Sequence, residues 1–165
     1  MRVLLTGATG AIGRPLIRGL KQQGHTVFGL VRSADSTHVL TEMGAEAVIG
    51  DALDAATVRA AIARVRPDAV INELTSLPRH YTPAEMKAAA ERDSRVRREG
   101  NVNLLAAMRE SGVRRYVLQS SGFWYAPGPG WLTNRRPWPL MLHPASPPAL
   151  APTLNSNRRP FGHRK

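Results

Sequence analysis

Thr6-Gly7-Ala8-Thr9-Gly10-Ala11-Ile12-Gly13 decides the fold of this 165-residue chain. Upstream, Arg2 to Thr6 is a compact apolar run of the kind buried on both faces of a parallel sheet. Downstream, Ile12, Leu16, Ile17 and Leu20 recur at helical spacing, so Ala11 to Gln23 reads as a helix, with Gly24 placed to stop it. Each glycine between strand and helix has a physical task. Gly7 permits a tight turn with unusual backbone angles, Gly10 leaves backbone N–H groups open to a diphosphate, and Gly13 lets the helix pack closely on the sheet. Thr9, Ala11 and Ile12 complete the loop, and the helix N-terminus supplies free donors and partial positive charge. A plain structural turn is the competing reading of three glycines; the strand before and the helix after favour a ligand. A nucleoside-triphosphate loop needs Gly-Lys-Ser/Thr where this chain has Gly13-Arg14-Pro15. The stretch reads as a dinucleotide cradle.

The remaining chain to about residue 120 alternates short apolar runs with helical patterns. Strands are expected at Thr26 to Arg32, Ala45 to Gly50, Asp68 to Leu74 and Arg114 to Ser120. Helices are expected at His38 to Met43 and Ala55 to Val65. A longer helical region opens at the capping box Thr82-Pro83-Ala84-Glu85, breaks near Asp93-Ser94 and ends around Ser111-Gly112. Five strands joined by helices fold, under the right-handed crossover rule, into an α/β doubly wound parallel sheet of Rossmann type.

The ends of the second and third strands bear on the cofactor. An acid about 20 residues beyond the glycines would hold an NAD ribose hydroxyl. Here the strand ends Leu30-Val31-Arg32, and the first acid is Asp35. Arg32 suits a bidentate pairing with a 2′-phosphate, so NADP is favoured over NAD; a solvated arginine is the alternative. Gly50-Asp51-Ala52 follows the third strand at the carboxyl edge, where Asp51 either accepts from an adenine amino group or caps the next helix. Asp54 is the better cap candidate.

Composition divides the chain. Residues 1–130 hold 17 basic and 12 acidic residues, a net charge of +5 within the total of +11. Residues 131–165 hold 6 basic residues, no acid and seven prolines. Proline at that density breaks helices and central strands, so a disordered basic tail is expected after a Rossmann domain spanning 1–130. The tail is either a genuine extension or the product of a reading-frame shift near the Gly130-Trp131 codons. Zero cysteines exclude a disulfide framework and a thiol nucleophile. The five histidines show no metal-ligand spacing. Thr6-Gly7 cuts short the apolar start that faintly suggests a signal peptide, and nowhere is there an apolar run of about 18 residues, so a cytoplasmic protein with no membrane partner is expected.

Taken together, the glycine turn, Gly50-Asp51, Asn103-Leu104-Leu105-Ala106-Ala107, Gly112-Val113-Arg114-Arg115-Tyr116-Val117 and Ser120-Ser121-Gly122-Phe123-Trp124-Tyr125 resemble the extended short-chain dehydrogenase/reductases, the NAD(P)-dependent epimerase/dehydratase family. The resemblance covers Met1 to about Gly130 and implies hydride transfer at a carbonyl or alcohol carbon. It implies that Ser121 holds the substrate oxygen, that Leu74 lies among the nicotinamide-side contacts, and that helices within residues 84–111 pair into a homodimer. Met86, Val102, Leu105 and Met108 suit such an interface, or face the sheet. Asn72-Glu73-Leu74-Thr75 departs from the small residues usual at the fourth strand's end. The family's acid/base tyrosine, with a lysine four positions later, has no counterpart: the tyrosines are 81, 116 and 125 and the lysines 21, 87 and 165. Tyr125 matches an earlier, structural tyrosine of the family.

Two functions follow. The first is the NADP-binding portion of an epimerase/dehydratase-type oxidoreductase, catalytically impaired, with a nicotinamide dinucleotide as partner and an unassigned small-molecule substrate. The second is a non-catalytic protein that senses NADP or grips anionic partners with its tail. No aromatic stacking pattern or recognition helix points to specific nucleic-acid binding.

Overall fold

The computed structural model describes residues 1–78 and 80–120. Five parallel strands, β1 (Arg2–Thr6), β2 (Thr26–Val31), β3 (Glu46–Ile49), β4 (Ala69–Asn72) and β5 (Arg115–Leu118), form one sheet in the order β3-β2-β1-β4-β5. Between them run α1 (Gly13–Gln22), α2 (Thr37–Glu42, entered through a 3₁₀ turn at Ala34–Ser36), α3 (Ala55–Val65) and α4 (Pro83–Glu110). The doubly wound parallel sheet is therefore observed as expected.

Alternation along β1 shows how two faces are filled. Leu4, in register with Phe28 and Val70, joins a buried cluster with Val58, Ile62 and Leu104 from α3 and α4. Leu5, opposite Gly29 and Ile71, joins a second cluster with Ile17 and Leu40 from α1 and α2. Because both faces are covered, Val3, Leu4 and Leu5 are all buried, which explains the unbroken apolar run. Truncating Leu4 to Ala would cost about 2–5 kcal/mol. Gly29 is needed for close packing: a Cβ there would lie 2.4 Å from Leu40 Cδ1.

Three expectations need correction. The helix after the glycine turn begins at Gly13, because residues 11 and 12 belong to the turn. β1 spans the residues read from sequence, but the other four strands are shorter, β4 and β5 by three residues each, their pairing running from Ala69 with Arg115 to Asn72 with Leu118. The long helix does not break at Asp93-Ser94. It runs 28 residues unbroken. Asp93, a poor helix former, is held there by Arg97 one turn on (2.7 Å) and by the Ser76 N–H (2.5 Å). Of the capping box at its start the forward half forms, Thr82 Oγ1 accepting from Glu85 N–H, while Glu85 Oε2 accepts from the Thr82 hydroxyl instead of its backbone N–H.

Candidate cofactor-binding site

All the sequence-derived binding residues gather at the carboxyl edge of the strands. In the glycine turn, Gly7 has φ +68°, and a Cβ on it would lie 2.3 Å from the Glu73 carbonyl oxygen. Gly13 is closed in as tightly: its Cβ would sit 2.3 Å from Gly7 O and 2.6 Å from Ala8 O. Both glycines are thus required by backbone meeting backbone. Gly10 differs. It is exposed, donates to Gly7 O (2.9 Å), and a Cβ on it would meet only that oxygen, at 3.1 Å. Its bareness serves the open side of the loop.

α1 starts there with no side-chain cap and no acid in its first turn. Among the described residues, the N–H groups of Ala11, Ile12 and Gly13 meet no protein acceptor. Such donors at a helix N-terminus hold an anion without further help. Arg14 folds back to donate from Nε to Thr9 O (2.9 Å), which stiffens the loop. Exposed Ile12 projects beside the open donors.

Arg32 is exposed directly after β2, and Asp35 lies further on in the 3₁₀ turn, so no carboxylate ends that strand. After β3, Asp51 is half-buried and accepts from Leu53 N–H through Oδ1 (2.9 Å). Asp54, not Asp51, caps α3, accepting from Ala56 N–H (2.9 Å). Among the described residues, no donor is bonded to Asp51 Oδ2. Ala52 is buried, and its carbonyl accepts from Asn103 Nδ2 of α4 (2.8 Å). Gly100 lets α4 come this close, since its Cβ would lie 3.0 Å from Leu74 Cδ1 and 3.4 Å from Ala52 Cβ. Leu74 therefore turns toward α4 and packs on the core.

Beneath the crevice runs a buried polar chain that sequence reasoning missed. Thr6 Oγ1 donates to Asn72 Oδ1 (2.9 Å), Asn72 Nδ2 donates to Tyr116 Oη (2.8 Å), and Tyr116 Oη donates to Asn101 Oδ1. Asn72 Oδ1 also accepts from Leu74 N–H (3.0 Å). Thr6 and Asn72 are fully buried, which is tolerable because they are hydrogen-bonded. Burial raises the Tyr116 phenol above its ordinary ionisation, while its bond with Asn72 opposes that rise. Beside this chain, Glu73 Oε2 is buried with no hydrogen-bond partner among the described residues, and burial pushes its carboxyl upward. The hint in the sequence was the departure of Asn72-Glu73-Leu74-Thr75 from small residues at the fourth strand's end.

A cavity of about 560 Å³ lies elsewhere, at the amino edge of β4 and β5, lined by Arg66, Asp68, Val113 and Arg114 among others. α3 and α4 both end beside it, and its lining carries Arg66, Arg114 and Arg115 against one acid, Asp68. Among the described residues, no group of His, Asp and Glu side chains gathers to hold a metal, and no helix is long and apolar enough to cross a membrane. Ser121, Tyr125, the expected boundary at residue 130 and the expected tail 131–165 lie outside the described residues.

Residues 7–145 match the family model described as NAD(P)H-binding. The chain belongs to the NAD(P)H-binding family. Within it, the chain is 39% identical over 138 residues to a 3-diazoavenalumate denitrifying reductase of Streptomyces, covering 83% of this chain and 43% of the relative. It is 35% identical over 123 residues to the photosystem II assembly factor Ycf39 of Synechocystis, covering 73% and 33%. Among solved structures it resembles the Thermus thermophilus UDP-glucose 4-epimerase in complex with NAD, at 26% identity and TM-score 0.67, over 84% of this chain and 44% of that one. The chain thus spans less than half the length of these relatives. It is an NAD(P)-binding domain of the epimerase/reductase type, as the sequence resemblance implied. The residues present fit the dinucleotide: two glycines pressed by backbone, a third bare on the open side, and three unpartnered N–H groups behind it.

Proposed function

We propose that this domain binds NADP(H) in preference to NAD(H) and belongs to an oxidoreductase acting at a carbonyl or alcohol carbon. The open helix N-terminus at Ala11 to Gly13, behind a bare Gly10, carries the reading. Those N–H groups hold the diphosphate, Arg32 pairs with the 2′-phosphate, and the free oxygen of Asp51 accepts from the adenine amino group. Thr9 and Ile12 flank the diphosphate; Ala52 and Leu74 shape the crevice floor from beneath. When bound, the cofactor gives or takes hydride; the chain's part is to bind it, orient it and keep its two ends apart. Ser121 holds the substrate oxygen. With no tyrosine–lysine pair at the family spacing, turnover by the 165-residue chain is low.

Val102 and Leu105 stand 60% and 38% exposed on α4 while Met108 is buried, which supports a homodimer through the outer face of that helix. A second reading, a non-catalytic NADP-binding protein, draws support from the Synechocystis relative, which bears the name of an assembly factor. Titrating the purified chain with NADPH and NADH, followed by a turnover assay, separates the cases. Binding with slow NADPH-dependent carbonyl reduction supports the oxidoreductase reading, and binding with none the non-catalytic one; tighter NADH than NADPH binding overturns the cofactor preference, and binding of neither overturns the function.

A further inference from the structure

Among the described residues, none pairs with the buried oxygen of Glu73. It directly follows β4, and its Cβ would lie 3.1 Å from a Cβ placed on Gly7, so it is pressed against the first glycine of the cradle. Its Oε2 is buried and unpartnered among the described residues. The two ion pairs found among those residues, Arg95 with Glu99 and Arg97 with Asp93, lie wholly within α4, and nearby Arg92 is engaged with Ser76 Oγ (2.7 Å). A buried acceptor without a donor is costly, and such a cost persists where a ligand offsets it.

Position narrows the ligand. α1 and α2 cover one face of the sheet and α3 and α4 the other, so the winding reverses between β1 and β4, where ligands bind at the carboxyl edge of such sheets. Glu73 stands at that reversal. Arg32 and Asp51 lie on the β2–β3 side, which takes the adenine half, and this leaves the β4–β5 side for the nicotinamide half. A carboxylate oxygen repels the diphosphate and needs a donor. On that half the donors nearest the diphosphate are ribose hydroxyls.

Resting on the proposed dinucleotide function, we infer that Glu73 is a cofactor-binding residue that accepts a hydrogen bond from a hydroxyl of the nicotinamide-side ribose. Burial raises the Glu73 carboxyl, and a hydrogen bond donated to it opposes that rise, so binding favours the ionised form.

Calorimetric titration at pH 7.5 of the full chain, Glu73→Gln and Glu73→Ala tests this with two probes. NADPH carries the nicotinamide ribose; adenosine 2′,5′-bisphosphate does not. Replacing the carboxylate is expected to weaken NADPH about tenfold or more, less in Gln than in Ala, and to leave the bisphosphate unchanged. The thermal stability of ligand-free Glu73→Gln is expected to equal or exceed that of the parent. Unchanged NADPH affinity in Glu73→Gln and Glu73→Ala overturns the inference. So does an equal loss for both probes, which would make Glu73 a support of Gly7. If Glu73→Ala does not fold, Glu73→Gln decides on the same criteria. Should the parent chain bind the bisphosphate but NADPH no more tightly, the inference alone fails; if it binds neither, the dinucleotide function fails with it.

Discussion

Gly10 and Gly13 sit three residues apart in one loop, yet substituting them should do opposite things. A Cβ at Gly13 would come within 2.3 Å of Gly7 O, 2.6 Å of Ala8 O and 2.7 Å of Ala8 C. Contacts this short oblige α1 to lift from the turn, at a cost of about 1–3 kcal/mol. For a domain of this size that lowers Tm by roughly 3–15 °C. At Gly10 a Cβ meets one oxygen at 3.1 Å, and a relaxation of a few tenths of an ångström accommodates it. Gly10→Val should therefore melt within about 2 °C of the parent. Its isopropyl group, however, occupies the open side of the loop and bars a diphosphate from the N–H groups behind. Each charged hydrogen bond lost is worth about 1.5–3 kcal/mol, so NADPH affinity should fall by at least about tenfold. Differential scanning calorimetry and isothermal titration on the two variants read both quantities. Gly10→Val binding NADPH as the parent does, or Gly13→Ala melting as the parent does, would refute the reasoning.

Other substitutions probe separate parts. Arg32→Asp should exchange the preference, weakening NADPH about tenfold or more while NADH gains, because a carboxylate repels the 2′-phosphate and accepts from a 2′-hydroxyl; equal losses for both in competitive titration would count against it. Tyr116→Phe leaves Asn72 Nδ2 and Asn101 Oδ1 without partners and should cost about 1–3 kcal/mol in urea melts. Because burial lifts the Tyr116 ionisation above 10.0, the folded chain holds that proton more tightly than the unfolded chain. Its stabilising effect is intact below pH 10 and is lost as pH rises further, a decline that Tyr116→Phe should flatten in melts across pH 9 to 12. Asp54→Ala removes the α3 cap and should cost about 1 kcal/mol by the same melts, whereas Asp51→Ala should chiefly weaken NADPH.

The elements of this fold were legible because their signals are local. The glycine turn, the centres of the apolar runs, the Thr82 N-cap and the Asp54 cap all act within a few residues and form where the pattern put them, although four strands end earlier or start later than read. What escaped depends on residues far apart in the chain. Asp93 looked like a helix break because its stabilising partner Ser76 lies 17 residues earlier. The Asn72–Tyr116 bond spans 44 residues and leaves no periodic trace. Glu73 was visible as an oddity at a strand end, but its burial, and the lack of a partner among the described residues, are facts of packing. Helical spacing likewise could not say that Met108 faces inward while Val102 and Leu105 face out.

α4 reaches several parts of the crevice floor at once. Asp93 grips the chain beyond β4 at Ser76, Gly100 seats against Leu74 and Ala52, and Asn103 holds the Ala52 carbonyl. These holds lie along a single continuous helix, about 1.5 Å apart per residue, so they cannot shift independently. A second molecule leaning on Val102 and Leu105 would push on this rod and tilt the supports under both halves of the nucleotide together. Should the proposed dimer form on that face, self-association and nucleotide affinity are expected to strengthen or weaken each other by the same factor.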